Sequence, residues 1–415
     1  VLLEVVSTDR YRNYRSQHYP FLKTLLEDRL GRARWLCLGV EAKEARAGEN
    51  LYVHDLSAKD LELLVAALRE ARATHVVLNE RLGATSWVLL RARLPEVAFR
   101  MVDSPDSSAL AAALCRWLGV DPPRDRRGAP AALEDAVTPD HGREPLNDLA
   151  STIEPFVHLM VGPECVYNRP IASNRRFAGV DLTGCLRLRG CTFCLNPEPE
   201  GGAGLEGRSV DLAVEQILAA EATRVVASTR REYQVHGAAL WLAVGELFGR
   251  LLAGEGEVSP SDFHFSSRVD ELLAVADRLE AVLPRLAAAG HRICLYNIGL
   301  ESFSPEENER FNKGLRPEQI EEGIALARDL EARFPEAFRF SDHGGFSIIL
   351  FTPWTTLADL EQNAAAFRRH GIDVGGFVLD SALQLLPGLA VTRLAEADGL
   401  LTEAFEDHPY DSGCI

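Results

Sequence analysis

The chain has 415 residues, a formal net charge of −17, 47% hydrophobic and 25% charged residues, and 8 cysteines. That length is enough for two domains with sizeable cores. The acidic balance excludes a general nucleic-acid surface, which needs clustered Lys and Arg, and no apolar run is long enough to span a bilayer.

Residues 1–6 read as a strand, 19–29 as a helix with Phe21, Leu22, Leu25 and Leu26 at helical spacing, and 34–40 as a second strand. A short run at 51–56 precedes an amphipathic helix N-capped by Ser57, with Leu61, Leu64, Val65 and Leu68 on one face. Residues 74–78 are strand-like, 87–93 helix-like, 97–102 strand-like and 108–118 helix-like. This alternation implies a parallel sheet with helices on both faces, a Rossmann-like domain over residues 1–120. Such sheets bind ligands at the carboxyl ends of their strands. His18, His54 and His75 belong to no ligand cluster and read as packing or surface residues. Cys37 and Cys115, in apolar surroundings, read as buried thiols.

Residues 121–150, with the run D-P-P-R-D-R-R-G-A-P, read as a linker. The second domain, 151–380, alternates again. Strands are expected at 177–182, 238–244, 262–266, 292–298, 345–350 and 374–379, and helices at 209–223 (Ser209 as N-cap), 271–289, 317–331 and 357–369. Six strands in this arrangement predict a partial (β/α)6 TIM barrel, followed by a short extension, 381–415. Barrel chemistry sits at the carboxyl ends of the strands. The polar features fall there: the cysteine loop after the first strand, Gly245-Glu246 after the second, Ser267-Arg268 after the third, residues 299–302 after the fourth and Thr352-Pro353-Trp354 after the fifth.

That cysteine loop, T-G-C-L-R-L-R-G-C-T-F-C, places Cys185, Cys191 and Cys194 at C-x5-C-x2-C, flanked by Gly184 and Gly190. The glycines permit the sharp turns that would let the sulfurs converge. Soft thiolates at this spacing select an iron–sulfur cluster or zinc. A structural zinc site usually takes four ligands in two separated pairs, and here there is a single trio. Cys165, twenty residues upstream without a partner, reads as a non-ligand. Scattered cysteines with no signal-peptide pattern fit a reducing cytoplasm.

The tail R-G-C-T-F-C resembles the cluster loop of radical S-adenosylmethionine (SAM) enzymes, whose usual spacing is C-x3-C-x2-C with an aromatic before the last cysteine, as Phe193 stands here. Two extra residues fill the first gap. Gly245-Glu246 resembles a short form of that family's G-G-E motif, which receives the SAM amino group. I-G-L-E-S-F-S at 298–304, with Asn312-Lys313-Gly314, resembles the I-G-x-E-S and K-G signatures of its cobalamin-linked class, and residues 262–268, ending at Arg268, resemble its third-strand segment. Residues 53–79 resemble the strand, acidic turn, helix and strand of the cobalamin-binding domain found ahead of the barrel in that class. The usual Gly-Gly pair is replaced by Asp103-Ser104-Pro105, and no D-x-H-x-x-G motif is present.

The resemblance implies a [4Fe-4S] cluster on Cys185, Cys191 and Cys194, with Phe193, Gly245, Glu246, Arg268 and Glu301 near SAM, and cobalamin on the first domain. The implied activity is reductive cleavage of SAM and action on an unactivated carbon, chiefly cobalamin-dependent methyl transfer. Two alternatives stand beside it: a cobalamin-free radical SAM enzyme performing cyclisation, rearrangement or peptide modification, and a non-enzymatic zinc or iron–sulfur protein. The expected partners are a small-molecule or peptide substrate and an external electron donor, with no nucleic acid or membrane. No residue is assigned a catalytic role from the sequence.

Overall fold

The structure, a computed structural model, describes residues 1–7, 18–40, 56–78, 84–101, 107–124, 131–152, 157–161, 165–194, 205–223, 230–254, 258–340, 345–372 and 381–401. The chain divides into two compact units, the first chiefly Val1–His158 and the second Leu159–Val214 with Tyr233–Pro409.

In the first unit β1 (Leu2–Ser7), β2 (Trp35–Val40), β3 (His75–Leu78), β4 (Ala98–Met101) and β5 (Glu144–Pro145) form one sheet in the order β4-β3-β1-β2-β5. Every adjacent pair is parallel. Its helices are α1 (Tyr19–Leu30), α2 (Ala58–Glu70), α3 (Ala84–Arg93), α4 (Ser107–Leu118), α5 (Leu133–Ala136) and α6 (Asp148–Thr152). The Ser57 hydroxyl accepts the Asp60 N–H at 3.1 Å and opens α2, whose Leu61, Leu64, Val65 and Leu68 are buried. Each such side chain is worth about 1.5–3 kcal/mol when fully buried. They join Leu3, Val5, Leu36, Val76 and Leu78 of the sheet in one core. From α1, the Tyr19 hydroxyl contacts the carbonyls of Leu3 and Val77 at 3.0 and 3.2 Å, tying β1 to β3.

The chain visits one side of β1 with β2 and the other with β3. This reversal makes the β1–β3 crevice the switch point where such sheets bind ligands. The segments that follow β1 and β3, residues 8–17 and 79–83, lie outside the described residues, as do 51–55 and Asp103-Ser104-Pro105. The stretch expected as a linker is largely part of this unit. β5 pairs with β2, and the Asn147 side chain accepts the Gly39 N–H at 3.1 Å and donates to its carbonyl at 2.9 Å. Gly39 has no alternative residue there, because an added Cβ would lie 2.5 Å from the Ala150 nitrogen.

In the second sheet, whose first two strands straddle the unit boundary, β6 (Val157–Met160), β7 (Arg231–His236), β8 (Ser261–Arg268), β9 (Arg292–Glu301) and β10 (Phe338–Phe340) run in the order β10-β9-β8-β7-β6, and β11 (Phe346–Ile348) also pairs with β9. The β8–β9, β9–β10 and β9–β11 pairs are parallel. The helices are α7 (Leu205–Ala222), α8 (Ala238–Leu242), α9 (Val244–Leu252), α10 (Val269–Ala274), α11 (Ala276–Ala289), α12 (Pro305–Arg310), α13 (Pro317–Arg333), α14 (Leu357–His370) and α15 (Ala390–Ala397). Aromatic contacts join the elements: Tyr233 of β7 stacks on Phe263 of β8 at 4.9 Å, and from the helices Phe248 meets Phe263 edge-on at 5.0 Å and Trp241 meets Phe265 at 4.9 Å. The chain is thus α/β, a Rossmann-like parallel sheet followed by a partial barrel.

Several boundaries differ from expectation. Residues 177–182 are not a strand. Gly179 takes φ +83°, and Asp181 accepts the Thr183 N–H at 2.9 Å, so the apolar run is broken into turns and the sheet begins instead at β6. Residues 238–244 are helical. The strand is the preceding R-E-Y-Q-V-H, which Gly237 ends at φ +151°, and the Ala-Leu-rich run that follows forms α8. Ser209 lies inside α7 rather than capping it. Strand β10 and helix α15 were not expected, and residues 373–380 lie outside the described residues.

Candidate functional site

Cys191 and Cys194 share one turn, with the Cys194 N–H on the Cys191 carbonyl at 3.3 Å. That turn is fastened to the segment after α12. The Thr192 N–H donates to the Phe311 carbonyl at 3.0 Å, the Thr192 hydroxyl to the Arg310 carbonyl at 2.8 Å, and the Asn312 amide to the Gly190 carbonyl at 2.7 Å. Phe193 meets Phe311 edge-on at 5.2 Å. Asn312 can bind both Gly190 and Arg169 because it adopts φ +53°, and Asn174 holds its side-chain oxygen at 3.2 Å.

Against this turn the ends of β8 and β9 bring two buried cations. A register shift between Phe265 and Ser266 sets Arg268, the last residue of β8, beside Gly299 of β9. Arg268 Nη1 is 3.5 Å from the Cys191 sulfur. Its remaining nitrogens fork onto Asp270 at 2.9 and 3.2 Å and donate to the Lys313 carbonyl at 2.7 Å. The guanidinium lies 3.7 Å from the ring centroid of Tyr167, a cation–π stack. Burial pulls its pKa down, but Cys191 and Asp270 outweigh burial and hold it above the ordinary value.

Lys313 Nζ pairs with Glu301 Oε1 at 2.7 Å, the two side chains being 4% and 5% exposed. The Ser347 hydroxyl donates to the other carboxylate oxygen at 2.9 Å. Burial disfavours the ammonium, yet Glu301 and Cys191 together raise the Lys313 pKa. Gly299 makes room for the pair, since a Cβ there would stand 2.9 Å from Nζ. Glu301 itself takes φ +62°, a left-handed conformation costly for a non-glycine residue. Burial pushes the neighbouring Cys165 thiol up to about 11. Burial also raises the Glu271 carboxyl, whose Oε2 accepts the Arg268 N–H at 3.1 Å.

The structure therefore gathers Cys191, Phe193, Arg268 and Glu301 of the residues expected from sequence. It adds Lys313, Tyr167 and Asn312, of which Lys313 and Asn312 had a sequence signal, through the Asn-Lys-Gly run. Gly245, Glu246 and Cys185 lie elsewhere. Glu246 sits on the exposed face of α9, in its first turn, and Gly245 faces Arg278, because the strand expected to deliver them ends at His236, before Gly237. The three sulfurs also do not converge. Among the described residues no group of three or more His, Cys, Asp or Glu side chains could hold a metal ion. The longer first gap explains this: the Leu186 N–H bonds the Gly388 carbonyl at 2.8 Å and the Ile171 N–H bonds the Leu188 carbonyl at 3.0 Å. Cys185 is thereby held against Ile171, Phe177, Ala390 and Leu394, next to Arg393, which bears on its thiol.

No protein-family profile matches the chain, and no curated protein matches it in sequence. Among solved structures it is similar to the cobalamin-dependent S-adenosylmethionine radical enzyme OxsB with aqua-cobalamin and S-adenosylmethionine bound. The TM-score is 0.53 at 14% identity, over 96% of this chain and 60% of that one. OxsB with aqua-cobalamin alone aligns at a TM-score of 0.48 and 13% identity, over 96% of this chain and 56% of that one. This chain spans about 60% of the OxsB length, and what the two share at that identity is the fold.

Proposed function

We propose that this chain is a radical SAM enzyme that cleaves SAM reductively and acts on an unactivated carbon of a small-molecule or peptide substrate, with methyl transfer from cobalamin as its chief outcome. The observation that carries the reading is the position of Cys191. A member of a C-x5-C-x2-C trio abuts a buried Arg268–Lys313–Glu301 group at the carboxyl ends of β8 and β9, where barrel chemistry occurs. The fold likeness to OxsB supports the same class.

The donor chemistry suits a [4Fe-4S] cluster, because Cys185, Cys191 and Cys194 are all free thiols and soft ligands on one loop. Their placement does not, since Cys185 stands apart, against Arg393. This chain's own residues do the positioning. Tyr167 and Asp270 fix the Arg268 guanidinium, Asn312 and Thr192 pin the Cys191 turn, and Lys313 with Glu301 forms a water-poor charged floor beside it. Cobalamin is assigned to the first unit by the sequence resemblance, its β1–β3 switch point being the expected seat.

The test is anaerobic reconstitution with iron and sulfide, followed by iron and sulfide analysis, absorption spectra, and a dithionite-driven assay for 5′-deoxyadenosine. Wild type should load iron and release 5′-deoxyadenosine from SAM, and a Cys185/Cys191/Cys194→Ala triple variant should do neither. Equal iron in both proteins, or wild type that never cleaves SAM, refutes the reading. Corrin absorption retained after gel filtration with hydroxocobalamin separates the cobalamin-dependent form from the cobalamin-free one.

A further inference from the structure

Between Cys185 and Cys191 the chain runs Leu186-Arg187-Leu188-Arg189-Gly190, and the usual sorting of side chains is inverted. Leu186 and Leu188 are 62% and 51% exposed, while Arg187 is 4% exposed. Among the described residues none of the three guanidinium nitrogens of Arg187 has a hydrogen-bond partner, and its neighbour Arg189 instead binds Asn168. A buried cation without hydrogen bonds or a counter-ion is strongly disfavoured. Two exposed leucines beside it add to the local conflict, the kind of violation that folds tolerate where a site needs it.

The other cations of the site are accounted for, Arg268 by Asp270 and Lys313 by Glu301. Among the described residues Arg187 alone of the three pairs with no acid. Space for it is made by Gly190, which takes φ +87° and where an added Cβ would lie 2.7 Å from Arg187 Nη2 and 3.2 Å from the Tyr167 carbonyl oxygen. The guanidinium thus packs directly on the residue that precedes Cys191.

We propose that Arg187 anchors an anionic group of a bound ligand, a carboxylate or a phosphate, at the cysteine loop. Its planar fork of donors matches the paired oxygens of either anion. Two sources share this chemistry: the carboxylate of SAM itself and an anionic group on the substrate. The inference deepens the functional reading above and rests on it for the ligand, while the orphaned guanidinium stands without it.

The experiment measures thermal unfolding and equilibrium binding of the full reconstituted chain and of Arg187→Met and Arg187→Lys. The probes are SAM, decarboxylated SAM and inorganic phosphate. Without ligand, Arg187→Met should unfold no earlier than wild type, since it removes an unpaired buried charge. It should bind the anion-bearing probe roughly ten- to a hundredfold more weakly, the loss of a charge-assisted pair, and Arg187→Lys should recover part of that. Weakened SAM binding with decarboxylated SAM unaffected makes the SAM carboxylate the anion. Weakened phosphate binding with SAM unaffected places the anion on another ligand. Wild type that binds none of the probes, Arg187→Met that binds all of them as wild type does, or Arg187→Met that unfolds several degrees early with unchanged binding overturns the proposal. Arg187-dependent phosphate binding in a chain that never cleaves SAM leaves this inference standing and removes the reading it deepens. SAM cleavage with Arg187-independent binding does the reverse.

Discussion

Lys313→Met tests the buried pair at the centre of the site. The ammonium is 2.7 Å from Glu301 Oε1, and both side chains are about 5% exposed or less. Methionine fills nearly the same volume, so the change removes charge rather than packing. What remains is a buried carboxylate with one neutral hydrogen bond, the Ser347 hydroxyl at 2.9 Å. Removing one partner of a buried pair costs about 3–5 kcal/mol, a large part of the roughly 5–15 kcal/mol that holds a domain folded. Guanidinium unfolding followed by circular dichroism gives the loss, and hydrogen exchange locates it on β9 and α12–α13. Adding Glu301→Gln to Lys313→Met removes the stranded charge, and the double variant should recover more than half of the loss. The pKa direction adds a pH signature. Lys313 is raised in the fold, so its stabilisation is fully present below the unfolded lysine value of about 10.4. It is lost only as pH rises above that value toward the folded one, and the cost of Lys313→Met should be flat from pH 6 to 9. A loss below about 1 kcal/mol, as for an exposed pair, or a double variant equal to the sum of the singles, refutes the reasoning.

Arg268→Lys keeps the charge but loses the fork on Asp270, the bond to the Lys313 carbonyl and the stack on Tyr167. The expected cost is about 2–4 kcal/mol in chemical denaturation, and a change under 0.5 kcal/mol, on the order of experimental noise for surface sites, contradicts it. Gly190→Ala must hold φ +87° and meets Arg187 Nη2 at 2.7 Å. A loss of about 1–2 kcal/mol from the left-handed backbone alone should lower the Tm by several degrees, and an unchanged Tm contradicts the geometry. In the first unit burial pushes the His141 imidazole down to about 3, so the fold holds it neutral. Its contribution is present above the unfolded histidine value of about 6.5 and is lost as pH falls from there toward 3. His141→Gln should flatten the acid side of the stability–pH curve, and an identical slope in the variant argues against a buried neutral ring.

The first unit was legible because its helices carry their own instructions. Ser57 caps α2 through its own hydroxyl, and the 3.6-residue spacing of Leu61, Leu64, Val65 and Leu68 faces one core. The second unit was less so where an apolar run was ambiguous. A-A-L-W-L-A-V reads equally as a buried strand or a helix, and only the neighbouring Gly237 decides for the helix. F-A-G-V-D-L failed as a strand because Gly179 and the Asp181 turn outvote its hydrophobicity. β10 is three residues long and is held by its pairing with β9, a tertiary contact with no local signal. The misplaced strand at 238–244 in turn carried Gly245 and Glu246 to a position the fold does not give them.

The site shows the same division at finer scale. Arg268 and Glu301 were visible because each ends a strand, and Cys191 because of the cysteine spacing alone, whereas what binds them together is long-range. Among the described residues the non-glycine positions with positive φ are Arg72, Glu301 and Asn312. Glu301 pairs with Lys313, Asn312 precedes it, and Gly190 at φ +87° is a third left-handed residue, bonded to the Asn312 side chain. Left-handed backbone at a residue such as Glu costs about 1–2 kcal/mol, so it persists only where tertiary bonds over-determine it. Those bonds are present: Glu301 is held by Lys313, Ser347 and the Ile349 N–H, and Asn312 by Gly190, Arg169 and Asn174. No local sequence preference selects this arrangement. The turn at Cys191 is fixed by residues more than 100 positions away, and strain of this kind, gathered round one cysteine, marks where the fold has given up stability to hold side chains at a chosen point.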